Sequence, residues 1–270
     1  MSLISNTVVR AEGRRLSTWE AMGLLVQRNY IVYRGAWWVF LSGFLEPLFY
    51  LFSIGVGVGQ LIPGFEFHGR MIPYAEFVAP GMVAAAAMNG SLLDSTFNFF
   101  FKMKYSKTFD QMLATPLTTR DVARGELVWS LLRGGTYSAA FLVIMWLSGL
   151  VHTWWAVAAL PAALLIGTAF GAVGMALTTY MRSWQDFEYV TLTTLPLFLF
   201  SATFFPLSAF PTWLQWVVEA TPLYRGVALV RELTTGVITW DSAISVVYLL
   251  AMGAFGLSVV AKRLDKLLLS

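Results

Sequence analysis

AVAALPAALLIGTAFGAVGMALTT, residues 156–179, decides the fold. The stretch contains no Asp, Glu, Lys or Arg. A helix of about 20 such residues, rising 1.5 Å each, crosses the roughly 30 Å of a bilayer's hydrocarbon. A soluble helix keeps a polar face, and this stretch has none. Outward from it lie five more blocks of similar length and character, at about 37–60, 75–101, 126–149, 188–208 and 242–261. The pattern predicts an all-α integral membrane fold with six transmembrane helices. The block at 75–101 is the least uniform. Asn89, Ser91, Asp94 and Asn98 in its second half predict that this end faces protein or water rather than lipid.

Composition agrees. Of the 270 residues, 57% are hydrophobic and 12% are charged, and the mean hydropathy is +0.67. Soluble domains carry roughly 25% charged residues, so a soluble chain of this composition could not cover its own core. There is no cysteine, which excludes disulfides and thiolate metal sites. His68 and His152 are the only histidines, too few for a metal centre. The net charge of +3 does not indicate nucleic acid, because the basic residues flank the hydrophobic blocks. No signal peptide is expected, since the N-terminal stretch lacks an isolated apolar core with a cleavage site. No repeat or flexible linker divides the chain, and 1–270 reads as one domain.

Basic residues orient the spans. Arg10, Arg14, Arg15, Arg28 and Arg34 precede the first block. Lys102, Lys104, Lys107, Arg120 and Arg124 follow the second, Arg182 follows the fourth, and Lys262, Arg263 and Lys266 end the chain. The opposite side holds Arg70, Arg225 and Arg231. This bias predicts cytoplasmic N- and C-termini in a multi-pass protein of the cytoplasmic (inner) membrane.

Three pieces lie outside the spans. Within 1–36, residues 17–35 predict a helix. Ser17 and Glu20 form a capping-box pattern, and Trp19, Met22, Val26, Tyr30 and Tyr33 supply an apolar stripe suited to the headgroup layer. In 102–125, Thr108 and Gln111 predict a second capping box and a short helix over 109–114, stopped by Pro116. Met112 and Leu113 are its expected apolar contacts, and Asp110 and Gln111 its polar ones. Such a helix is either a docking knob or an ordinary loop helix. Thr118 and Asp121 predict the cap of the next helix. Residues 209–241 split at Thr221-Pro222, a cap followed by proline at the first helical position. They predict a pair of half-helices re-entering the outer leaflet, closed by Gly236. Arg225 and Arg231 there either meet lipid headgroups or snorkel to the interface.

Ionisable residues within spans are functional candidates. Glu46, followed by Pro47, Asp94 and Arg133 are each a candidate proton relay or substrate contact, and equally helix-to-helix partners. An Asp94–Arg133 ion pair is one expectation. No nucleophile–base set, metal cluster or phosphate-cradling G-x-x-x-x-G-K-[ST] motif is present. The glycines of GVGVG, 55–59, read as close helix packing.

Several stretches resemble one family. EPLFYLF (46–52) with GVGVG (55–59), FVAPGM (77–82), STFNFFFKMKYSKTFDQMLATPLT (95–118) and ATPLYRGVALVREL (220–233) are similar to type-2 ABC exporter permeases. The nearest branch is that of lipo-oligosaccharide (nodulation) and daunorubicin-type exporters. The resemblance covers about 20–262, and FDQMLATPL is its most specific element. It implies an amphipathic N-terminal interface helix, with Arg28, Tyr30 and Arg34 near an ATPase. It implies a coupling helix at Thr108, Phe109, Asp110, Gln111, Met112, Leu113, Ala114, Thr115 and Pro116. It implies a dimer of nucleotide-binding subunits holding ATP and Mg, no cofactor on this chain, and a second permease copy or paralogue. The outer hairpin, with Tyr224, Arg225 and Arg231, would lie near the exit. Glu46, Phe44, Asp94, Phe97, Phe198 and Phe204 would line the path of a lipid, glycolipid or drug. A proton-coupled carrier using Glu46 and Asp94 is the alternative reading, and a membrane-embedded lipid enzyme a third.

Overall fold

The computed structural model describes residues 17–35, 45, 48–49, 51–62 and 64–268. The chain is mostly helical. Helix α1 (Thr18–Tyr33) begins at Ser17, whose Oγ accepts from the Glu20 amide at 3.2 Å while Glu20 accepts from the Ser17 amide at 2.8 Å. Most of the first hydrophobic block, including Phe44 and Glu46, lies outside the described residues. Its end winds as a π-helix over Leu51–Val56 and a short 3-10 turn over Val58–Gln60.

A two-stranded antiparallel hairpin follows, β1 (Phe65–Phe67) with β2 (Arg70–Ile72). Its turn residues, His68 and Gly69, both have positive φ, at 48° and 77°. That is the geometry whose twist matches the flanking strands in a two-residue loop. From sequence alone this segment is assigned no structure.

Helix α2 (Tyr74–Leu93) continues its winding through two π-helical turns, Asp94–Asn98 and Phe101–Tyr105. Asp94, Ser95 and Thr96 are buried in protein. After the short α3 (Thr108–Leu113), α4 (Thr119–Leu147) starts at the expected Thr118–Asp121 box. Gly149, at φ 71°, turns the chain left-handed at its end. Then come α5 (Ala159–Thr178), α6 (Phe187–Leu199), α7 (Thr212–Ala220), α8 (Pro222–Thr235) and α9 (Trp240–Leu268).

Among the described residues, three helices are long and apolar enough to cross a membrane: Thr119–Leu147, Trp154–Thr178 and Trp240–Leu268. The block at 188–208 differs from the expectation. Its helix ends at Leu199, and 200–206 is unwound. Ala202 sits in the left-handed region at φ 53°. Unwound backbone at membrane depth needs partners in protein, and these are described below.

The centre is held by small residues. A Cβ on Gly90 would stand 2.8 Å from the Gly134 Cα, and one on Gly256 would stand 2.7 Å from the α5 backbone at Ala172 and Val173. Such contacts let α2, α4, α5 and α9 approach closely where no hydrophobic effect drives helices together. The core divides in two. The larger part joins α2, α5 and α8 with Phe141 and Met145 of α4 toward the hairpin end. The smaller part, at the α1 end, gathers Leu25, Phe99, Phe109, Met112, Val260 and Leu264. The N-terminal helix and the last turns of α9 therefore meet at one end of the bundle.

Candidate functional site

The smaller core positions α3. Phe109 is fully buried, Met112 is 7% exposed, and the Phe109 ring lies 4.9 Å from that of Phe99. Asp110, Gln111, Ala114, Thr115 and Pro116 are exposed, and Leu113 is half-buried. Two sequence expectations fail here. Met112 is a core anchor, 7% exposed, that lines the α1 groove from within rather than projecting outward. The Thr108–Gln111 box does not form. Lys107, left-handed at φ 45°, is the residue before the helix, and Thr108 is already inside it, donating to Ser106 Oγ at 3.0 Å.

Helix α1 lies beside α3 across a groove of about 480 Å³, lined in part by Leu24, Arg28, Gln111, Thr115 and Pro116. The face of α1 that packs on the bundle is Ala21, Leu25 and Asn29, at four-residue spacing. The stripe expected from the sequence is not that face: Trp19 is 82% and Tyr30 63% exposed. Arg28 is half-buried and Arg34 exposed.

Asn29 marks a polar junction that sequence reasoning missed. Lys102 Nζ donates to Glu126 Oε2 at 2.6 Å and to Asn29 Oδ1 at 3.1 Å. Asn29 Nδ2 donates to Glu126 Oε1 at 3.3 Å, and Arg28 Nη1 donates to Asn29 Oδ1 at 3.1 Å. One junction thus ties α1, the end of the α2 winding and α4. The available signal was an amide on the Ala21–Leu25 stripe of an amphipathic helix.

Deeper in the bundle, Arg133 Nη1 donates to Asp94 Oδ1 at 2.8 Å, with side chains 1% and 3% exposed. Arg133 Nε donates to the Tyr137 hydroxyl at 2.8 Å, and Asn98 donates to the same Asp94 oxygen. The expected ion pair is present. A buried charge is tolerated when paired and hydrogen-bonded; Asp94 Oδ1 meets both conditions, while the buried Oδ2 has no hydrogen-bond partner among the described residues.

The aromatic candidates fall into two clusters. Phe97 packs on Trp184 at 4.5 Å and Phe187 at 5.2 Å between ring centroids. Phe198 meets Phe204 edge-on at 5.3 Å. Phe97 and Phe198 are half-buried, whereas Phe204 is 8% exposed and belongs to the main core.

The hairpin of α7 and α8 is unequal. Thr221 caps α8 by accepting from the Tyr224 amide at 3.4 Å, Pro222 follows at the first position, and Gly236 ends it at φ 79°. Helix α8 is a core element packed on α2, α5 and α9, while α7 exposes Trp213 and Trp216. Tyr224 and Arg225 are half-buried, with the guanidinium 5.6 Å from the Tyr224 ring.

Arg231 corrects the sequence reading. It neither meets headgroups nor snorkels, being 4% exposed. Its Nε donates to the Phe77 carbonyl at 3.1 Å. One terminal nitrogen donates to Ala202 at 2.9 Å and Thr203 at 3.4 Å, and the guanidinium lies 3.8 Å over the Phe77 ring. Arg231 supplies the donors that the unwound 200–206 segment lacks. Next to it, Glu232 accepts from the Thr239 amide at 3.1 Å and its hydroxyl at 2.6 Å, and from the Ser242 hydroxyl, which anchors the start of α9. His152 Nε2 stands 3.0 Å from Glu76 Oε1 at the same end.

The sequence model of a family described as "ABC-2 type transporter" matches residues 20–234. Nodulation protein J of Rhizobium leguminosarum bv. trifolii is 32% identical over 216 residues, covering 78% of this chain and 79% of that protein. Nodulation protein J of Rhizobium meliloti (strain 1021) is 30% identical, again over 78% and 79% of the two chains.

Proposed function

The chain belongs to the ABC-2 type transporter family, and from that membership we propose that it is the transmembrane permease subunit of an ATP-driven exporter, moving an amphiphilic or hydrophobic molecule outward across the cytoplasmic membrane. Lipid, glycolipid and drug are the candidate cargoes. In this reading the ATP and Mg sit on a separate dimer of ATPase subunits. The permease pairs with a second copy or paralogue. Six spans form one domain with both termini cytoplasmic. The meeting of α1 with the last turns of α9 at one end of the bundle agrees with an even span number.

One observation carries the docking surface. Phe109 and Met112 clamp α3 into a core of its own, which leaves Asp110, Gln111, Ala114, Thr115 and Pro116 as a rigid outward ridge beside the α1 groove. A docking element needs a fixed base and a free face, and α3 has both. The exposed Trp19 and Tyr30 of α1 suit a headgroup layer, where one end of an aromatic is apolar and the other wet. Asp94, held by Arg133 and Asn98, is poorly placed to exchange protons with solvent, which favours ATP over a proton gradient as the energy source.

The test replaces Asp110 and Gln111 with arginine and follows co-purification of the ATPase from native membranes. Loss of the ATPase with an unchanged melting temperature of the permease is expected. Retention of both the ATPase and transport would remove the docking assignment.

A further inference from the structure

Helix α6 stands off the bundle. None of its residues is buried. A groove of about 590 Å³ separates it from α5. Phe170, Val173, Leu177, Val190, Leu197 and Met252 give it apolar walls. Tyr180, Arg182 and Tyr189 close one end. The helix has two distinct faces. Val190, Thr194 and Leu197 turn half-buried toward the groove, whereas Leu192, Leu195 and Leu199 are exposed on the other side.

Two arginines, Arg182 and Arg263, outnumber the one carboxylate, Asp186, at that end. Asp186 is engaged by backbone, its Oδ2 accepting from the Arg182 amide at 2.7 Å and the Ser183 amide at 3.1 Å. These donations hold its carboxyl below the usual carboxylate range. Among the described residues the Arg182 guanidinium has no ion-pair partner. Arg263 stacks on the Tyr180 ring at 4.1 Å and adds a second positive charge behind it.

We propose that this groove binds an anionic membrane phospholipid, with an acyl chain between α5 and α6 and its phosphate against Arg182.

The lining favours a lipid, because the groove joins apolar walls to a cationic end at Arg182. An apolar cavity does not hold water stably. Basic residues at a membrane surface attract anionic headgroups, and aromatic rims are usual at that depth. The exposed Leu192, Leu195 and Leu199 on the opposite face of α6 stay clear of the groove, so the lipid leaves that face open to a second permease copy. The site requires only that the chain be embedded in a bilayer, not that it export by any particular mechanism.

The intact transporter is reconstituted in nanodiscs of phosphatidylglycerol and phosphatidylcholine, and retained lipid is read by native mass spectrometry. Wild type is expected to keep a single phosphatidylglycerol in preference to phosphatidylcholine. Retention is expected to fall roughly tenfold in Arg182→Glu, which trades an attraction for a repulsion at the phosphate. Thr194→Trp, which fills the groove, should expel the lipid, and Leu192→Trp on the exposed face should not. If Arg182→Glu does not assemble, the wild-type lipid preference and the tryptophan pair still decide. Equal retention of both lipids, or equal retention in Thr194→Trp and Leu192→Trp, overturns the site. The chain has no cysteine, so Thr194→Cys also reports directly. A disulfide between two permease copies at that position would place protein in the groove and overturn the proposal.

Discussion

Lys102 Nζ stands 2.6 Å from Glu126 Oε2, and this pair, roofed by Asn29 of α1, joins three helices at the end of the bundle that carries α3. The side chains are 13% and 5% exposed, so neither charge is left to bulk water.

Removing one partner strands the other. Lys102→Met should therefore lower unfolding stability by about 3 kcal/mol, read as a fall in melting temperature in detergent. Adding Glu126→Leu to it should restore most of the loss, because an apolar pair then replaces the ionic one. A single variant that melts like wild type would show the pair to be incidental.

Arg231 should tolerate no substitute. Arg231→Leu removes the side-chain donors to the Phe77, Ala202 and Thr203 carbonyls, at a cost of about 1–3 kcal/mol for a buried unmet group in the unwound segment. Arg231→Lys should not rescue it, since a single ammonium lacks the planar fork. Limited proteolysis near 200–206 is the readout. Wild-type protection in Arg231→Leu would disprove the stapling role.

Phe109 and Asp110 should separate folding from docking. Phe109→Ala removes a fully buried ring, at about 3–5 kcal/mol, and should loosen α3 and lower both melting temperature and ATPase coupling. Asp110→Arg should leave the melting temperature unchanged and affect coupling alone. Identical profiles for the two variants would contradict the division of α3 into an anchored and a free face.

Glycines should divide by what surrounds them. A Cβ at Gly134 would meet Ser91 Oγ at 2.9 Å and the Ala87 carbonyl at 3.1 Å, whereas nothing lies within 4 Å at Gly23. Gly134→Ala is expected to destabilise. Gly23→Ala, inside α1, should stabilise by about 0.8 kcal/mol through helix propensity. Thermal melts of the two variants give the signs.

The legible features share one property, which is that a few adjacent residues complete them. The Ser17–Glu20 and Thr118–Asp121 boxes form as read because each partner lies three residues from the other. Thr221-Pro222 and Gly236 bound α8 for the same reason. The polar half of the second block faces protein, as its Ser and Asp content implied. Thr108 misled because Lys107 turns left-handed and the buried Phe109 and Met112 set the helix start instead. On α1 the aromatic stripe is exposed, as a headgroup-facing side would be, but the Ala21, Leu25 and Asn29 face that packs on protein was not legible, because a helix between protein and lipid is apolar on both sides.

Long apolar blocks with few charges, the bias of basic residues and the local caps determined from sequence alone that this chain is a helical membrane protein, and the FDQMLATPL region carried its family resemblance. Those signals follow from lipid solvation and from neighbours along the chain, both of which a sequence contains. Only tertiary structure decided that Asn29, Lys102 and Glu126 meet, that Arg231 leaves the membrane surface to hold an unwound segment more than twenty residues away, and that the helix at 187–199 ends early with a groove behind it. These depend on which carbonyls and charges lack partners once helices pack. A buried polar group finds its partner by position in space, whatever the separation in sequence.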